Sequence, residues 1–245
     1  MLSFIVPAYN EELELPATLE AIKRAAGGHD YEIVVVDDAS IDATAGIARA
    51  AGVRLISIER RQIAAARNAG GRAAHGEVLF FVDADTRINS KHVSGAVDAL
   101  SQGYAGGGAQ VRVEEPIPAW ASVALKFFCF VYFGLKLGAG AFLFATRKNF
   151  EAAGGFDERV YIGEEVYFSI ALRKIGRFKI LSEPVLTSGR KFRIYSGWEI
   201  LRHSTRVLLL GPRSAHSRGD LGIWYDGRRE TSSAMTNVEC LMTKE

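Results

Sequence analysis

The chain has 245 residues, 48% of them hydrophobic and 24% charged, which suits one large α/β domain or two small ones and is ordinary for a soluble globular protein. A formal net charge of +2 excludes nucleic-acid binding driven by overall charge, and two cysteines far apart, Cys129 and Cys240, exclude a disulfide framework or a cysteine zinc site and fit a reducing compartment. The N-terminus shows no secretory signal, since Met1-Leu-Ser-Phe-Ile-Val6 runs straight into Pro7 as a first strand.

The predicted elements alternate. A strand over 3–6 leads through Pro7-Ala-Tyr-Asn-Glu11 into a helix over 12–26, with Leu15, Leu19 and Ile22 at helical spacing and Gly27-Gly28 closing it. A β-branched strand over 31–36 ends in Asp37-Asp38, and an alanine-rich helix follows with Ser40 or Asp42 placed as its cap. A third strand over 53–58, a helix over 63–75 and a fourth strand over 78–82 complete a series that implies a parallel sheet with right-handed crossovers. Beyond Gly103 the spacing predicts strands over 105–113 and 141–145, a short helix over 150–157 that ends in glycines, and a helix over 164–175 opened by acids that suit its dipole.

Each predicted strand exit carries polar residues: Tyr9-Asn10-Glu11, Asp37-Asp38, Arg60-Arg61, and Asp83 with Asp85. The last pair follows the apolar run 78–82, so both carboxylates leave the carboxyl end of a buried strand on the same side, where open α/β sheets place ligands. Two like charges so close repel unless a cation or hydrogen-bond donors stand between them. Two readings stand side by side: hard oxygen ligands for Mg²⁺ or Mn²⁺ completed by a phosphate, or one helix-capping and one solvated aspartate. A dinucleotide oxidoreductase is disfavoured, because no G-x-G-x-x-G follows the first strand.

Two stretches bear on membranes. Residues 120–143 are strongly apolar but carry Lys126 and Lys136, and they read as a helix to about Phe133, a glycine-containing loop and then a strand. A spanning helix needs roughly 20 predominantly apolar residues, so core packing is preferred over a helix with one face dipped into a bilayer. Between Thr187 and Arg229 there are nine Lys or Arg against three Asp or Glu, an excess that suits either a solvated face or anionic lipid and diphosphate.

Taken together, Ile5-Val-Pro-Ala-Tyr-Asn-Glu11, Val35-Val-Asp-Asp-Ala-Ser-Ile-Asp-Ala-Thr44, Ala66-Arg-Asn-Ala-Gly70, Asp83-Ala-Asp85, and Gly154-Gly-Phe-Asp157 with Gly163-Glu-Glu165 resemble a family 2 glycosyltransferase of the GT-A type. The resemblance covers residues 2–175 and implies a single α/β domain of GT-A (Rossmann-like) fold, a mostly parallel central sheet flanked by helices. It implies a nucleotide-sugar-binding half over 1–110, an acceptor-side half over 111–229, and a flexible tail over 230–245. The implied activity is inverting, metal-dependent transfer of a sugar from a UDP or GDP donor to a hydroxyl or phosphate acceptor. A non-catalytic nucleotide-sugar-binding protein and a nucleotidyltransferase are the alternatives.

The resemblance also carries roles residue by residue. Pro7, Ala8 and Tyr9 lie against the base, with Tyr9 stacking on it; Glu11 reaches the ribose; Asp38, with Asp37, accepts from a base N–H, which favours uracil or guanine; and Arg67 lies near base and diphosphate. Asp83, with Ala84, meets the ribose or a water on the metal, and Asp85 coordinates Mn²⁺ or Mg²⁺. Glu165, or its neighbour Glu164, deprotonates the acceptor. Many such enzymes place a histidine metal ligand after this helix, but Thr187-Ser-Gly-Arg-Lys-Phe-Arg193 has none; a loosely held ion is implied, with Arg190, Lys191 or Arg193 as partial diphosphate clamps. The implied acceptor is lipid-linked or soluble, and the implied location is the cytoplasm or the inner face of a membrane, with peripheral contact and no nucleic-acid partner.

Overall fold

A computed structural model describes residues 1–114, 138–190 and Ile194. The predicted helix to about Phe133 and the tail over 230–245 fall outside them. The elements are β1 (Leu2–Ala8), α1 (Leu15–Ala25), β2 (Tyr31–Asp38), α2 (Thr44–Ala50), β3 (Arg54–Ile58), α3 (Ile63–Ala73), β4 (Val78–Val82), β5 (Thr86–Arg87), α4 (Ser90–Ser101), β6 (Tyr104–Val113), β7 (Phe142–Thr146), α5 (Arg147–Ala152), α6 (Glu164–Ile175) and β8 (Arg177–Thr187).

They build one sheet in the order β3-β2-β1-β4-β7-β6-β8-β5. β3, β2, β1 and β4 pair in parallel, as the alternating pattern implies, while β7 runs antiparallel between β4 and β6. The chain adds strands to one side of β1 and then crosses to the other for β4, so the crevice at their carboxyl ends is the topological switch point. β1 pairs with β4 only through Ile5, which lets Pro7 sit in a central strand where β4 asks for no N–H.

Strict alternation along the central strands sorts side chains onto two faces. Phe4, Val6, Val35, Phe80, Val82, Phe142 and Phe144 meet Leu15, Leu19 and Ile22 of α1, Ala48 of α2 and Val93 and Ala96 of α4. Ile5, Val34, Val36, Leu79, Phe81, Leu143 and Ala145 face the other way, toward Ala64 and Ala66 of α3, Phe150 of α5 and Phe168 and Leu172 of α6. Helix α3 packs tightly on the sheet at Gly70. A Cβ on Gly70 would stand 2.4 Å from Ile5 Cγ2 and 2.9 Å from Val36 Cγ2. We expect Gly70→Ala to cost about 1–3 kcal/mol in a urea titration, the range for overpacking.

Several expectations are corrected. Helix α1 begins at Leu15, not Glu12, because the Glu12 carboxylate accepts the Ala43 N–H and Pro16 favours a start in the first turn. Helix α2 begins at Thr44; Ser40 accepts from the Asn10 N–H instead of capping it, and Asp42 closes a turn onto the Thr44 N–H. Thr146 caps α5, so that helix starts earlier than predicted. β5, the Asn89-capped α4 and β8 had no predicted counterpart. In β8 Arg177 and Lys179 alternate with Phe178 and Ile180, but Ser182, Glu183 and Pro184 interrupt that alternation after Leu181, and a register shift against β6 between Ala109 and Val111 breaks it further.

Candidate active site

A cavity of about 340 Å³ opens at the carboxyl edge of the sheet, within the range of small-molecule sites. Its walls gather the exits of β1 (Pro7, Ala8, Tyr9, Glu11), β2 (Asp38), β3 (Arg61, Gln62), β4 (Asp83, Ala84, Asp85) and the start of α6 (Glu164, Glu165), together with Arg67 of α3 and Arg190. Asp37 does not line it, and its carboxylate accepts the Ser40 N–H at 3.3 Å. Lys191 and Arg193 lie outside the described residues.

Arg67 sits at the junction. Its side chain is only 1% exposed, and it donates to Glu164 Oε1 at 2.5 Å, to Asp83 Oδ1 at 2.7 Å and to the Gly140 carbonyl at 3.0 Å. Burial alone would weaken its charge, but Asp83 and Glu164 outweigh that and hold the guanidinium charged. The expected arginine beside base and diphosphate is thus a buried bracket tying the turn after β4 to the start of α6. Its neighbour Asn68 works similarly: the side-chain amide donates to the Phe156 carbonyl at 2.9 Å and accepts the Phe156 N–H at 2.8 Å, pinning the loop that precedes α6.

The two glutamates at the head of α6 differ sharply. Glu164 is buried and committed to Arg67, whereas Glu165 is half-buried and makes no ion pair among the described residues. Burial first, and the adjacent Glu164 charge second, push the Glu165 carboxyl up to about 8. A carboxyl raised this far, on a cavity wall and without a cation of its own, has the character of a general base.

Asp83 and Asp85 do leave the sheet into one cavity, but on a turn and toward different partners. Asp83 leans on Arg67, and burial raises its carboxyl above the ordinary range against that pull. Asp85 is held loosely, 3.5 Å from Arg190 Nη2 and 3.3 Å from the Thr187 hydroxyl. Among the described residues no three His, Cys, Asp or Glu side chains converge as a metal cage. Two hard carboxylates whose remaining ligands must come from phosphate and water nevertheless match the usual habit of Mg²⁺ and Mn²⁺.

Two carboxylates expected to be open acceptors have partners, as buried charges require. The Asp38 carboxylate accepts the backbone N–H groups of Arg60, Arg61 and Gln62, each at 2.7 Å. Glu11 takes a forked pair of bonds from Arg190, at 2.7 and 2.9 Å. The sequence reading missed Glu14, which is buried between Arg87 at 2.5 Å and the Ser188 hydroxyl at 2.9 Å and supports the same acidic floor. Its only sequence signal is an acid directly before a predicted helical apolar stripe. The reading also noted the Arg60-Arg61 exit without giving Arg61 a role, yet Arg61 lies over the Tyr9 ring, 3.5 Å from its centroid.

The sequence model described as glycosyl transferase family 2 matches residues 3–150, from β1 into α5. An undecaprenyl-phosphate 4-deoxy-4-formamido-L-arabinose transferase of Aeromonas hydrophila is 31% identical over 113 residues, 42% of this chain and 35% of that protein. A dolichyl-phosphate beta-glucosyltransferase of Drosophila melanogaster is 40% identical over 99 residues, 34% of this chain and 30% of that protein. The chain therefore spans about a third of the length of these curated relatives. Among solved structures, the mannosyltransferase PcManGT from Pyrobaculum calidifontis in complex with GDP-Man and Mn²⁺ superposes with a TM-score of 0.60 at 20% identity, covering 100% of this chain and 80% of that one. S. aureus TarS 1–349 in complex with UDP gives 0.61 at 19% identity, covering 86% of this chain and 65% of that one. These structures share the fold, and with the family model matching over half of its length, this chain belongs to glycosyl transferase family 2.

Proposed function

We propose that the chain transfers a sugar, with inversion, from a UDP or GDP donor to an acceptor hydroxyl. The observation that carries this reading is one cavity lined both by Glu165, upshifted and without an ion pair among the described residues, and by the Asp83/Asp85 turn, the two joined through the Arg67 bracket. Asp85 and Asp83 would hold Mn²⁺ or Mg²⁺ on the donor diphosphate, which supplies charge neutralisation as the diphosphate leaves. Glu165 takes the acceptor proton while the acceptor oxygen bonds to the anomeric carbon and the bond from that carbon to the diphosphate oxygen breaks. A single displacement inverts that carbon. Arg67 keeps Glu164 out of this proton transfer and holds Asp83 in place.

A donor screen tests the reading: calorimetric titration with UDP, GDP and CDP sugars, with and without Mn²⁺. We expect a uridine or guanosine donor to bind more tightly with Mn²⁺; absence of binding by every nucleotide sugar would refute the proposal. Asp85→Ala should remove the Mn²⁺-dependent gain. Its loss should reach or exceed the 10–100-fold effect of losing a group that merely supports a metal ligand.

A second reading replaces the hydroxyl with a lipid-linked phosphate. The names of the Aeromonas and Drosophila relatives favour it, since both refer to polyprenyl or dolichyl phosphate. Such work would place the protein at the cytoplasmic face of a membrane. Among the described residues no helix is long and apolar enough to cross one.

A further inference from the structure

Arg61 is built into the cavity in a way that its neighbours do not explain. Its backbone adopts φ 49°, a left-handed conformation that a non-glycine residue holds only when the surroundings impose it. The imposing group is Asp38, whose carboxylate receives the N–H groups of Arg60, Arg61 and Gln62 in succession. This grip presents the Arg61 side chain over the Tyr9 ring, with Cζ 3.5 Å from the ring centroid, on the wall of the cavity. Stacking engages the flat face of a guanidinium and leaves its N–H groups, which lie in its plane, free to donate. Among the described residues no acceptor or carboxylate bonds to them, although the residue is half-buried.

The same geometry limits Asp38 and Tyr9, two of the residues that sequence resemblance assigns to the base. Three of the roughly four lone-pair positions of the Asp38 carboxylate are taken by its own loop. One face of Tyr9 is covered by Arg61. What this end of the cavity offers is a planar set of donors with no acceptor among the described residues, and a ligand that pairs with them must bring acceptors.

Resting on the reading of this cavity as a nucleotide-sugar site, we propose that Arg61 reads the donor's nucleobase, its guanidinium N–H groups donating to the O4 carbonyl of uracil or the O6 carbonyl of guanine. Uracil carries such an oxygen at the position where cytosine carries an amino group, and guanine carries one where adenine carries an amino group. An arginine has no acceptor to offer an amino group, so the site selects uridine or guanosine diphosphates and rejects cytidine and adenosine diphosphates. Asp38 is then a positioning residue that holds the loop, and Tyr9 is the platform that keeps the guanidinium flat.

The test is calorimetric binding of UDP, GDP, CDP and ADP to the full chain and to Arg61→Met, which retains bulk but no donors, and Arg61→Lys, which retains charge without the planar fork. We expect the wild type to bind UDP or GDP at least about tenfold more tightly than CDP and ADP. Arg61→Met should erase that preference by weakening only the preferred nucleotide, and Arg61→Lys should restore little of it. Uniform weakening of all four nucleotides by Arg61→Met would overturn the inference, because it would mean a charge contact with the diphosphate. An unchanged preference in Arg61→Met would also overturn it while leaving the transferase reading intact, and a wild type that binds none of the four would overturn both.

Discussion

Glu165→Gln should bind donor and Mn²⁺ as the wild type does and lose turnover on a hydroxyl acceptor by about 10²–10⁴-fold, the range for a positioned general base. The substitution keeps the shape of the side chain and removes its basicity, so KM should change little while kcat falls. The pH dependence gives a second signature. With the Glu165 carboxyl pushed up to about 8, the base is mostly protonated at neutral pH, and only the deprotonated form accepts a proton. The wild-type kcat/KM should therefore rise with pH and level off above about 8, and Glu165→Gln should lack this limb. Measuring both profiles also separates the two acceptor classes. A phosphate acceptor is already anionic and needs no base, so near-wild-type turnover by Glu165→Gln on a lipid-linked phosphate, with none on a hydroxyl acceptor, would reject the hydroxyl reading and advance the lipid phosphate.

Arg67→Met should be the most destabilising single substitution in the site. It would leave Asp83 and the buried Glu164 facing each other without the cation between them. Removing one partner of a buried ion pair typically costs about 3–5 kcal/mol, because the remaining charge stays desolvated. A urea titration should show a lower midpoint at an unchanged slope. Adding Glu164→Leu should recover part of the loss, since it removes one of the stranded charges. A cost below about 1 kcal/mol would mean that the bracket is screened like a surface pair and does not hold the site together.

Much of this site was legible because its signals are local. Asp83 and Asp85 follow an apolar run of strand length, and Glu164 and Glu165 stand at the acidic start of a periodic helix; both readings need only a few neighbouring residues. The order of the first four strands and three helices is equally local. The partners of those residues are not. Arg67 looks like any polar residue on an alanine-rich helix, and its burial depends on Glu164, 97 positions later. Arg190 and Glu11 are separated by 179 positions, so the closure of the acidic floor has no short-range trace. The three backbone N–H groups that bond to Asp38 are equally hidden from the sequence, because they come from the loop between β3 and α3, whose course depends on how α3 docks. β8 was missed for a comparable reason: its charges and Pro184 hide a strand that exists because β6 and β5 flank it.

The adjacency of Arg67 and Asn68 on α3 has a mechanical consequence. One turn of one rigid helix fastens the acidic turn of the donor side through Arg67 and the approach to Glu165 through Asn68. The separation of the Asp83–Asp85 turn from Glu165 is thereby tied to a packed helix whose Gly70 fits tightly against β1 and β2. On the proposed function, the donor-side carboxylates and the base would therefore move with α3 as one body, and a shift of that helix would disturb both at once.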